Sequence, residues 1–215
     1  MPRTAAHRLT PALLAAGLVL SGCSSDSEGA EKATTTPAAT DAAPAEGAAL
    51  AEALSVFQPY VEQQAGTVAT DVKRFTDAVR AGDVELAKEL YPSSRQAYTR
   101  IEPLVPLIAP GVAEVVEAEP PAGADGTEDP GLTGWHQLEW DLWVAEDLSG
   151  SKATADELDE QLATLSAAVA DVTVTPRDMV RAVAELMELA ADDAASGAAE
   201  PWSHTDMWDL AARVD

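Results

Sequence analysis

The chain has 215 residues and a formal net charge of −24 at pH 7, with 13 basic and 37 acidic side chains. This balance argues against nucleic acid as a partner, because phosphate binding depends on Lys and Arg, and against docking by charge on an anionic membrane surface. It is compatible with cation binding, although an acidic composition also keeps an exported protein soluble. The single Cys excludes an intrachain disulfide.

Residues 1–22 have the features of a removable export signal. Arg3 and Arg8 precede an apolar segment at 10–20 that is too short to span a membrane. The sequence Leu20-Ser-Gly-Cys23 is typical of a lipoprotein cleavage box, although an ordinary secretory signal followed by a spare thiol is the alternative. We expect lipidation of Cys23, which would anchor the protein on the extracytoplasmic face of the cell membrane. Each CH2 group of an acyl chain that enters the bilayer adds about 0.8 kcal/mol to the free energy of membrane binding.

Residues 23–47 are predicted to be a disordered linker. After Cys23 this segment is rich in Ala, Thr, Ser, Pro and acidic residues and contains no aromatic residue. Such a composition buries too little apolar surface to offset the entropy lost on ordering. The remaining residues, 48–215, are enough for one domain with a hydrophobic core.

Apolar residues at spacings of three and four predict helices along 48–215, and no strand pattern competes with them. The clearest apolar stripe contains Leu54, Phe57, Val61, Ala65, Val68, Val72, Phe75 and Val79. Gly82 is expected to end this helix, and Asp83 to cap the next one. The second helix is expected to run to about Ile101, with a kink or a new segment at Pro92.

The second half of the domain begins with an interrupted region and continues with four helix starts. Residues 113–131 form a connection rich in Pro, Gly and acid, with one expected turn of helix at 114–118. The predicted starts are an N-cap at Thr133, a capping box at Thr154 and Glu157, Thr175 followed by Pro176, and a second capping box at Ser203 and Asp206. Met179, Val183, Leu186 and Leu189 form the stripe of the helix that starts at Thr175. The predicted fold class is all-α, a bundle of antiparallel amphipathic helices.

The rare side chains of the domain gather in two short segments, 134–143 and 202–208, which hold all five Trp and both His residues that follow the export signal. The first segment lies in a region without basic residues, since no Lys or Arg occurs between Arg100 and Lys152, while eleven Asp and Glu do. These two segments are therefore the places to look for a functional site.

His136 and Glu139 stand three residues apart, which places both on one face of a helix, together with Trp140 and Trp143. Buried His and Glu side chains need polar partners, and a metal ion would satisfy both. Imidazole and carboxylate suit Fe, Mn, Zn or Cu better than Ca or Mg. The alternative is a His–Glu pair that is hydrogen-bonded in the core or simply exposed.

Two more acidic residues are candidate metal ligands. Glu102 precedes Pro103 at the end of a helix, where an acid is unfavourable for the helix dipole, so that a cation, Arg95 or Arg100 would have to compensate it. Asp206 follows His204 by two residues and is either a third oxygen ligand or a capping acid. No Ser, His and Asp arrangement indicates nucleophilic catalysis.

Four blocks along the chain resemble the imelysin-like family, in the branch that contains the EfeO iron-uptake lipoproteins. The first block, Thr133-Gly-Trp-His-Gln-Leu-Glu-Trp-Asp-Leu-Trp143, resembles the family's Gly-x-His-x-x-Glu motif. The other three are Phe75-Thr-Asp-Ala-Val-Arg-Ala-Gly-Asp83, Tyr98-Thr-Arg-Ile-Glu-Pro103 and Ser203-His-Thr-Asp-Met-Trp-Asp209.

The resemblance implies an all-α bundle that is exported and often lipid-anchored. It implies a metal site at His136 and Glu139, with Glu102 and Asp206 as further ligands, and iron as the expected metal, with Zn or Cu as alternatives. It also implies partnership with a membrane iron permease and a haem peroxidase. Other members of the branch bind acidic polysaccharide, for which Trp140 and Trp143 would be the stacking residues, and the family is formally grouped with peptidases.

Two departures from the family pattern set further expectations. No N-terminal cupredoxin domain fits in the linker, so we expect no copper-assisted oxidation. Relatives continue with more helices after the block at 203–209, so we expect a C-terminally shortened bundle.

Overall fold

The computed structural model describes residues 42–118, 129–196 and 199–215. The predicted export signal and Cys23 lie outside these ranges, as do residues 24–41 of the predicted linker. The described residues form α1 (Ala42–Ala81), α2 (Val84–Thr99), α3 (Val105–Ile108), α4 (Val112–Val116), α5 (Gly134–Trp140), α6 (Lys152–Ala168), α7 (Pro176–Ser196) and α8 (Asp206–Val214). They contain no strand, so the predicted all-α class is confirmed.

Short helical segments of other types connect some of these helices. A 3-10 helix at Glu102–Leu104 precedes α3, another at Val169–Asp171 follows α6, and a π-helical turn at Asp141–Ala145 continues α5. None of the helices in the described ranges combines the length and the apolar composition that a membrane span requires.

Helix α1 packs along both α2 and α6, and its buried face forms a large part of the core. The predicted stripe is confirmed in its inner part, where Val61, Ala65, Val68, Val72, Phe75 and Val79 are all at most 1% exposed. The helix begins at Ala42, so residues 42–47, which we assigned to the linker, are helical. Burying this stripe stabilises the fold by roughly 1.5–3 kcal/mol for each large side chain.

The turn between α1 and α2 follows the prediction. Gly82 has a φ of +70°, the left-handed conformation that ends many helices. The Asp83 carboxylate accepts a hydrogen bond from the Leu86 amide at 3.1 Å and thereby caps α2. The chain reverses within these two residues, and α2 packs back along α1.

Two predicted helix boundaries differ from the structure. α2 runs through Pro92 as one helix, so no new segment begins there; its neighbours Tyr91 and Arg95 are buried, and their packing outweighs the backbone hydrogen bond that proline removes. α6 starts at Lys152 with Ser151 in the N-cap position, so Thr154 and Glu157 lie inside the helix and form no capping box.

Helices α7 and α8 pack against each other, and α8 also packs against α2. The start of α7 is as predicted, because Thr175 and Asp178 cap each other's backbone amides and Pro176 occupies the first helical position. Its inner face contains Ala182 rather than Val183, which is 52% exposed and does not belong to the stripe.

The start of α8 also differs from the prediction. Thr205, not Ser203, holds the N-cap position of this helix, and its side chain makes no capping hydrogen bond. The predicted capping box of Ser203 and Asp206 is therefore wrong. Residues 199–205 instead form a turn that runs beside α5, where Asp206 caps the amide of Glu200.

Candidate metal centre

The first turn of α5 is held tightly against the end of α4. Gly134 has a φ of +64°, and a Cβ atom at this position would lie 2.2 Å from the Val116 carbonyl oxygen. The Thr133 hydroxyl donates to the Val115 carbonyl at 2.7 Å, so this residue ties two helices together instead of capping α5 with its side chain. The glycine of the motif is therefore needed for this close approach, which aims the next turn of α5 into the protein.

His136 is 5% exposed and lies between two backbone carbonyls. Its Nδ1 is 3.0 Å from the Ala118 oxygen and its Nε2 is 3.0 Å from the Ala199 oxygen. Both ring nitrogens donate in this arrangement, which only the imidazolium form allows. Burial opposes this charge, but the nearby carboxylates of Glu200 and Glu117 outweigh burial and raise the pKa of His136 to about 9.

Glu139 lies one helical turn after His136 and is fully buried. Its Oε1 accepts hydrogen bonds from the amides of Trp202 at 3.1 Å and Ser203 at 2.7 Å, whereas its Oε2 is buried without a partner among the described residues. Burial and the charge of Glu200 raise the pKa of Glu139 to about 7, against the opposing effect of the Ser203 hydrogen bonds. A buried carboxylate oxygen without a partner is costly and points to a missing ligand.

Glu200 completes the cluster from the turn that precedes α8. It is fully buried, accepts a hydrogen bond from the Tyr91 hydroxyl at 2.6 Å, and lies 2.7 Å from Nη2 of Arg95. Its Oε1 is 3.7 Å from Nε2 of His136. Burial alone would raise the pKa of Glu200, but Arg95 and His136 lower it below the usual value, so this carboxylate is ionised at neutral pH.

Ligand atoms of His136, Glu139 and Glu200 all lie within 4.8 Å of one another. One imidazole with two carboxylates is a donor set that suits Fe, Mn or Zn. With a neutral imidazole the three side chains carry two negative charges, which a divalent cation neutralises. Glu139, whose Oε2 is buried without a partner among the described residues, belongs to this cluster, so the residues fit a metal ion.

Arg95 is the cation that holds the acidic surroundings of this cluster together. It is 3% exposed and, besides Glu200, contacts Asp209 at 3.2 Å and Glu117 at 3.3 Å. Burial and the charges of Glu200 and Glu117 raise the pKa of Asp209 to about 7, although Arg95 opposes this. Because one guanidinium is shared among three acids, the centre keeps an excess of negative charge.

The structure places the other predicted ligands, Glu102 and Asp206, outside this cluster. Glu102 lies in the 3-10 helix and pairs with Arg213 at 3.0 Å. The Asp206 carboxylate accepts from the backbone amide of Glu200 at 3.1 Å and so supports the turn that carries Glu200. Both residues stay predictions as metal ligands.

The two tryptophans that we predicted to stack on a sugar ligand have different surroundings. Trp140 is half-buried, and its Nε1 is buried without a partner among the described residues. Trp143 lies in the π-helical turn, where its ring and that of Tyr91 pack edge to face with their centroids 5.2 Å apart, and Nζ of Lys88 lies 5.6 Å from the Trp143 ring centroid. Their role in ligand stacking stays a prediction.

Glu200 is the member of the cluster that sequence reasoning did not find. It follows a stretch of Ala, Ser and Gly and belongs to none of the motifs described above. The available signal was its position, two residues before the second Trp-rich segment, in a chain where the first such segment already held two candidate ligands.

The fold and the site together define a helical-bundle protein with a buried His and Glu cluster that fits a divalent metal ion. Residues 53–215 match the family model described as Imelysin. The chain belongs to the Imelysin family, and the resemblance that we described from four sequence blocks is confirmed.

Curated relatives carry the name "Iron uptake system component EfeO". The protein from Escherichia coli O1:K1 is 34% identical over 166 residues, which cover 77% of this chain and 44% of the relative. The protein from Yersinia pestis is 35% identical over 186 residues, which cover 86% of this chain and 49% of the relative. The chain thus spans about half the length of the curated relatives that it matches.

Proposed function

We propose that this protein captures iron outside the cytoplasmic membrane for a membrane uptake system, held there by a lipid anchor at Cys23. Membership of the Imelysin family and the names of the relatives support the role in iron uptake. The sequence Leu20-Ser-Gly-Cys23 supports the anchor. The observation that carries the proposal is the buried cluster of His136, Glu139 and Glu200 with its unpartnered carboxylate oxygen.

In this proposal iron is the cargo, and the chain provides a set of ligands whose negative charge balances that of the ion. His136 gives up a proton from one ring nitrogen, and that nitrogen becomes a ligand. Glu139 offers Oε2 while the amides of Trp202 and Ser203 keep its other oxygen in place. Tyr91 and Arg95 orient Glu200 in the same way, and such supporting contacts normally strengthen a metal site. The same donors accept Zn or Cu, so iron is the expected but not the exclusive metal.

The partners in this proposal follow from the family resemblance. They are a membrane iron permease, which receives the metal, and a haem peroxidase of the same uptake system. The strong negative charge of the chain favours collection of cations over contact with an anionic lipid surface, so association with the membrane depends on the anchor.

The test is calorimetric titration of the protein with Fe(II) under anaerobic conditions, and with Fe(III), Zn(II) and Cu(II). We expect one tight site that is lost in His136→Ala, Glu139→Gln and Glu200→Gln. Loss of a supporting residue alone typically weakens a metal site by about 10–100-fold, so loss of a ligand should raise the dissociation constant by at least about 100-fold.

Glu157→Gln is the matched control, because it removes the same charge from an exposed position of α6. It should bind metal like the unmodified protein. The proposal is wrong if none of the four ions binds, or if the three ligand variants bind as tightly as the control.

A further inference from the structure

Helix α7 exposes a row of apolar side chains to solvent. Val180, Val183 and Met187 are each at least 49% exposed, and their spacing of three and four residues puts them on one face of the helix. The other face packs against the protein through Ala182 and Ala190, which are buried. The exposed row therefore lies outside the core that the described residues form, and its contact with water is unfavourable.

The row continues onto α8 and forms a contiguous patch. Met207, in the first turn of α8, is 70% exposed. Ala194 of α7 and Met207 line one cavity of about 250 Å³ between the two helices, so the exposed faces of α7 and α8 adjoin. Contiguous exposed apolar surface with a polar rim is typical of a protein–protein contact. The apolar patch consists of Val180, Val183, Met187, Ala194 and Met207.

Charged side chains flank the apolar patch on α7, and their sign changes along the helix. Arg177 and Arg181 lie in the first half of α7 and Glu188 lies in the second half, and all three are exposed. Their spacings of four and seven residues put them on one side of the helix. The helix dipole favours acids near the start of a helix and bases near its end. Apart from the capping Asp178, the order in α7 is the reverse, so the stability of the helix itself does not explain it.

A second copy of α7 in antiparallel orientation has charges that match this order. If the two helices are related by a two-fold axis near residues 184 and 185, position 181 of each helix lies opposite position 188 of the other, and Arg181 meets Glu188 twice. Val183 and Met187 lie within one turn of this axis, so the apolar patches of the two copies face each other, as a two-fold interface requires. A parallel copy would instead place Arg181 beside Arg181.

We propose that this protein forms a two-fold symmetric dimer, in which the apolar patch of each copy covers that of the other and Arg181 pairs with Glu188 of the partner subunit. The 21 residues of α7 give a face about 30 Å long and about 10 Å wide. Its area of about 300 Å² is less than the roughly 800 Å² that each partner buries in a standard interface, so the dimer is weak and reversible. The inference goes beyond the proposed iron capture, because none of His136, Glu139 and Glu200 belongs to the patch.

The test is sedimentation equilibrium of the protein at about 0.15 M salt, where the long-range repulsion between two acidic chains is largely screened. Every sample carries Cys23→Ser, which excludes both acylation and an intermolecular disulfide. We expect a concentration-dependent equilibrium between monomer and dimer.

Charge reversal at the proposed pair decides whether this contact forms the dimer. Arg181→Glu and Glu188→Arg should each raise the dimer dissociation constant at least about tenfold, because each puts two like-charge pairs into the symmetric contact. The double variant Arg181→Glu, Glu188→Arg should dimerise like the unmodified protein, and an equimolar mixture of the two single variants should form a mixed dimer. Met187→Glu, which puts a charge into the patch, should abolish dimerisation. All three positions are exposed, so the fold is kept.

Arg74→Glu and Glu157→Arg are the matched controls, since they reverse the same charges at exposed positions of α1 and α6. They should leave the dimer dissociation constant unchanged. The inference is overturned if the protein stays monomeric at every concentration, in which case the patch serves a different partner, or if the single reversals dimerise as well as the controls. It is also overturned if the double variant and the mixture do not regain the dimer.

Discussion

Gly134 shows how one residue positions the centre. Its φ of +64° and the Val116 carbonyl oxygen 2.2 Å from an added Cβ leave no room for a side chain. Gly134→Ala should lower the free energy of unfolding by roughly 2–4 kcal/mol, because it combines backbone strain with a clash against a fixed carbonyl. Chemical denaturation of the metal-free protein measures this effect.

Gly66 provides the contrasting substitution. It is exposed within α1, and an added Cβ would meet nothing within 4 Å. Gly66→Ala should therefore raise the free energy of unfolding by up to about 1 kcal/mol, since alanine is the better helix former. If both substitutions change the free energy of unfolding by the same amount in the same direction, the contact with the Val116 carbonyl does not exclude a side chain at position 134.

Glu139 should make the metal-free protein sensitive to pH. The pKa of its carboxyl is about 7 in the folded protein and near the ordinary 4.5 when unfolded, so the folded state binds the proton more tightly. Ionisation therefore destabilises the fold: the penalty is absent below pH 4.5, grows as the pH rises, and is complete above pH 7. Glu139→Gln should remove a penalty of about 1–3 kcal/mol at pH 8.

Thermal unfolding of metal-free protein at pH 4 and pH 8 measures this difference. Glu139→Gln should unfold at a higher temperature than the unmodified protein at pH 8, and the two proteins should unfold at the same temperature at pH 4. An equal difference in unfolding temperature at both pH values would show that the charge of Glu139 does not cause the destabilisation.

At the scale of elements, two similar N-cap signals in the sequence differ in the structure, because one caps a helix and the other does not. Thr175 and Asp178 cap each other at the start of α7, whereas Thr154 and Glu157 lie inside α6. The difference comes from tertiary contacts. Ser151 donates to the buried Asp141 at 2.6 Å, which ties the chain to the π-helical turn, and α6 begins directly after it.

Substitution of the two threonines tests this difference. Thr175→Ala should cost about 1 kcal/mol of stability through loss of the cap, while Thr154→Ala should cost close to nothing. Urea denaturation of both variants gives the comparison. A larger loss in Thr154→Ala would contradict the assigned start of α6.

The Trp-rich segment of α5 ends in a π-helical turn. Trp143 lies in this turn at Asp141–Ala145, and its ring packs against Tyr91, whose hydroxyl donates to Glu200. π-helical turns often occur at functional sites, and this one is held by hydrogen bonds that the Asp141 carboxylate accepts from Gln137 and Ser151.

At the scale of the whole molecule, metal binding should depend on pH because protons occupy the centre. The pKa values of His136 and Glu139 are about 9 and about 7, so both residues are protonated below pH 7. Metal must then displace two protons below pH 7, one between pH 7 and 9, and none above. The affinity for the metal ion should rise about 100-fold per pH unit below pH 7 and about tenfold per pH unit from pH 7 to pH 9.

Zinc titrations from pH 6 to pH 9, with proton release followed in two buffers of different ionisation enthalpy, measure these slopes. Zinc binding should release about two protons per ion below pH 7 and about one between pH 7 and pH 9. Affinity that is flat across this range would contradict a centre at His136 and Glu139.

Much of the fold was predictable from the sequence because its signals are local. The stripe from Val61 to Val79, the turn at Gly82 and Asp83, and the start at Thr175 each depend on residues within a few positions of one another. His136 and Glu139 belong together for the same reason, since three residues of helix separate them. Helix spacing also explains why the all-α class was clear before any contact was known.

The contacts that complete the centre depend on residues far apart in the chain, and no local pattern encodes them. The amide of Ser203 reaches Glu139 across 64 positions, and the hydroxyl of Tyr91 reaches Glu200 across 109. Packing of α2, α5 and the turn before α8 brings these groups together. The sequence could therefore identify two members of the cluster by their spacing, while Glu200, and the pairing of Glu102 with Arg213, follow only from how the helices assemble.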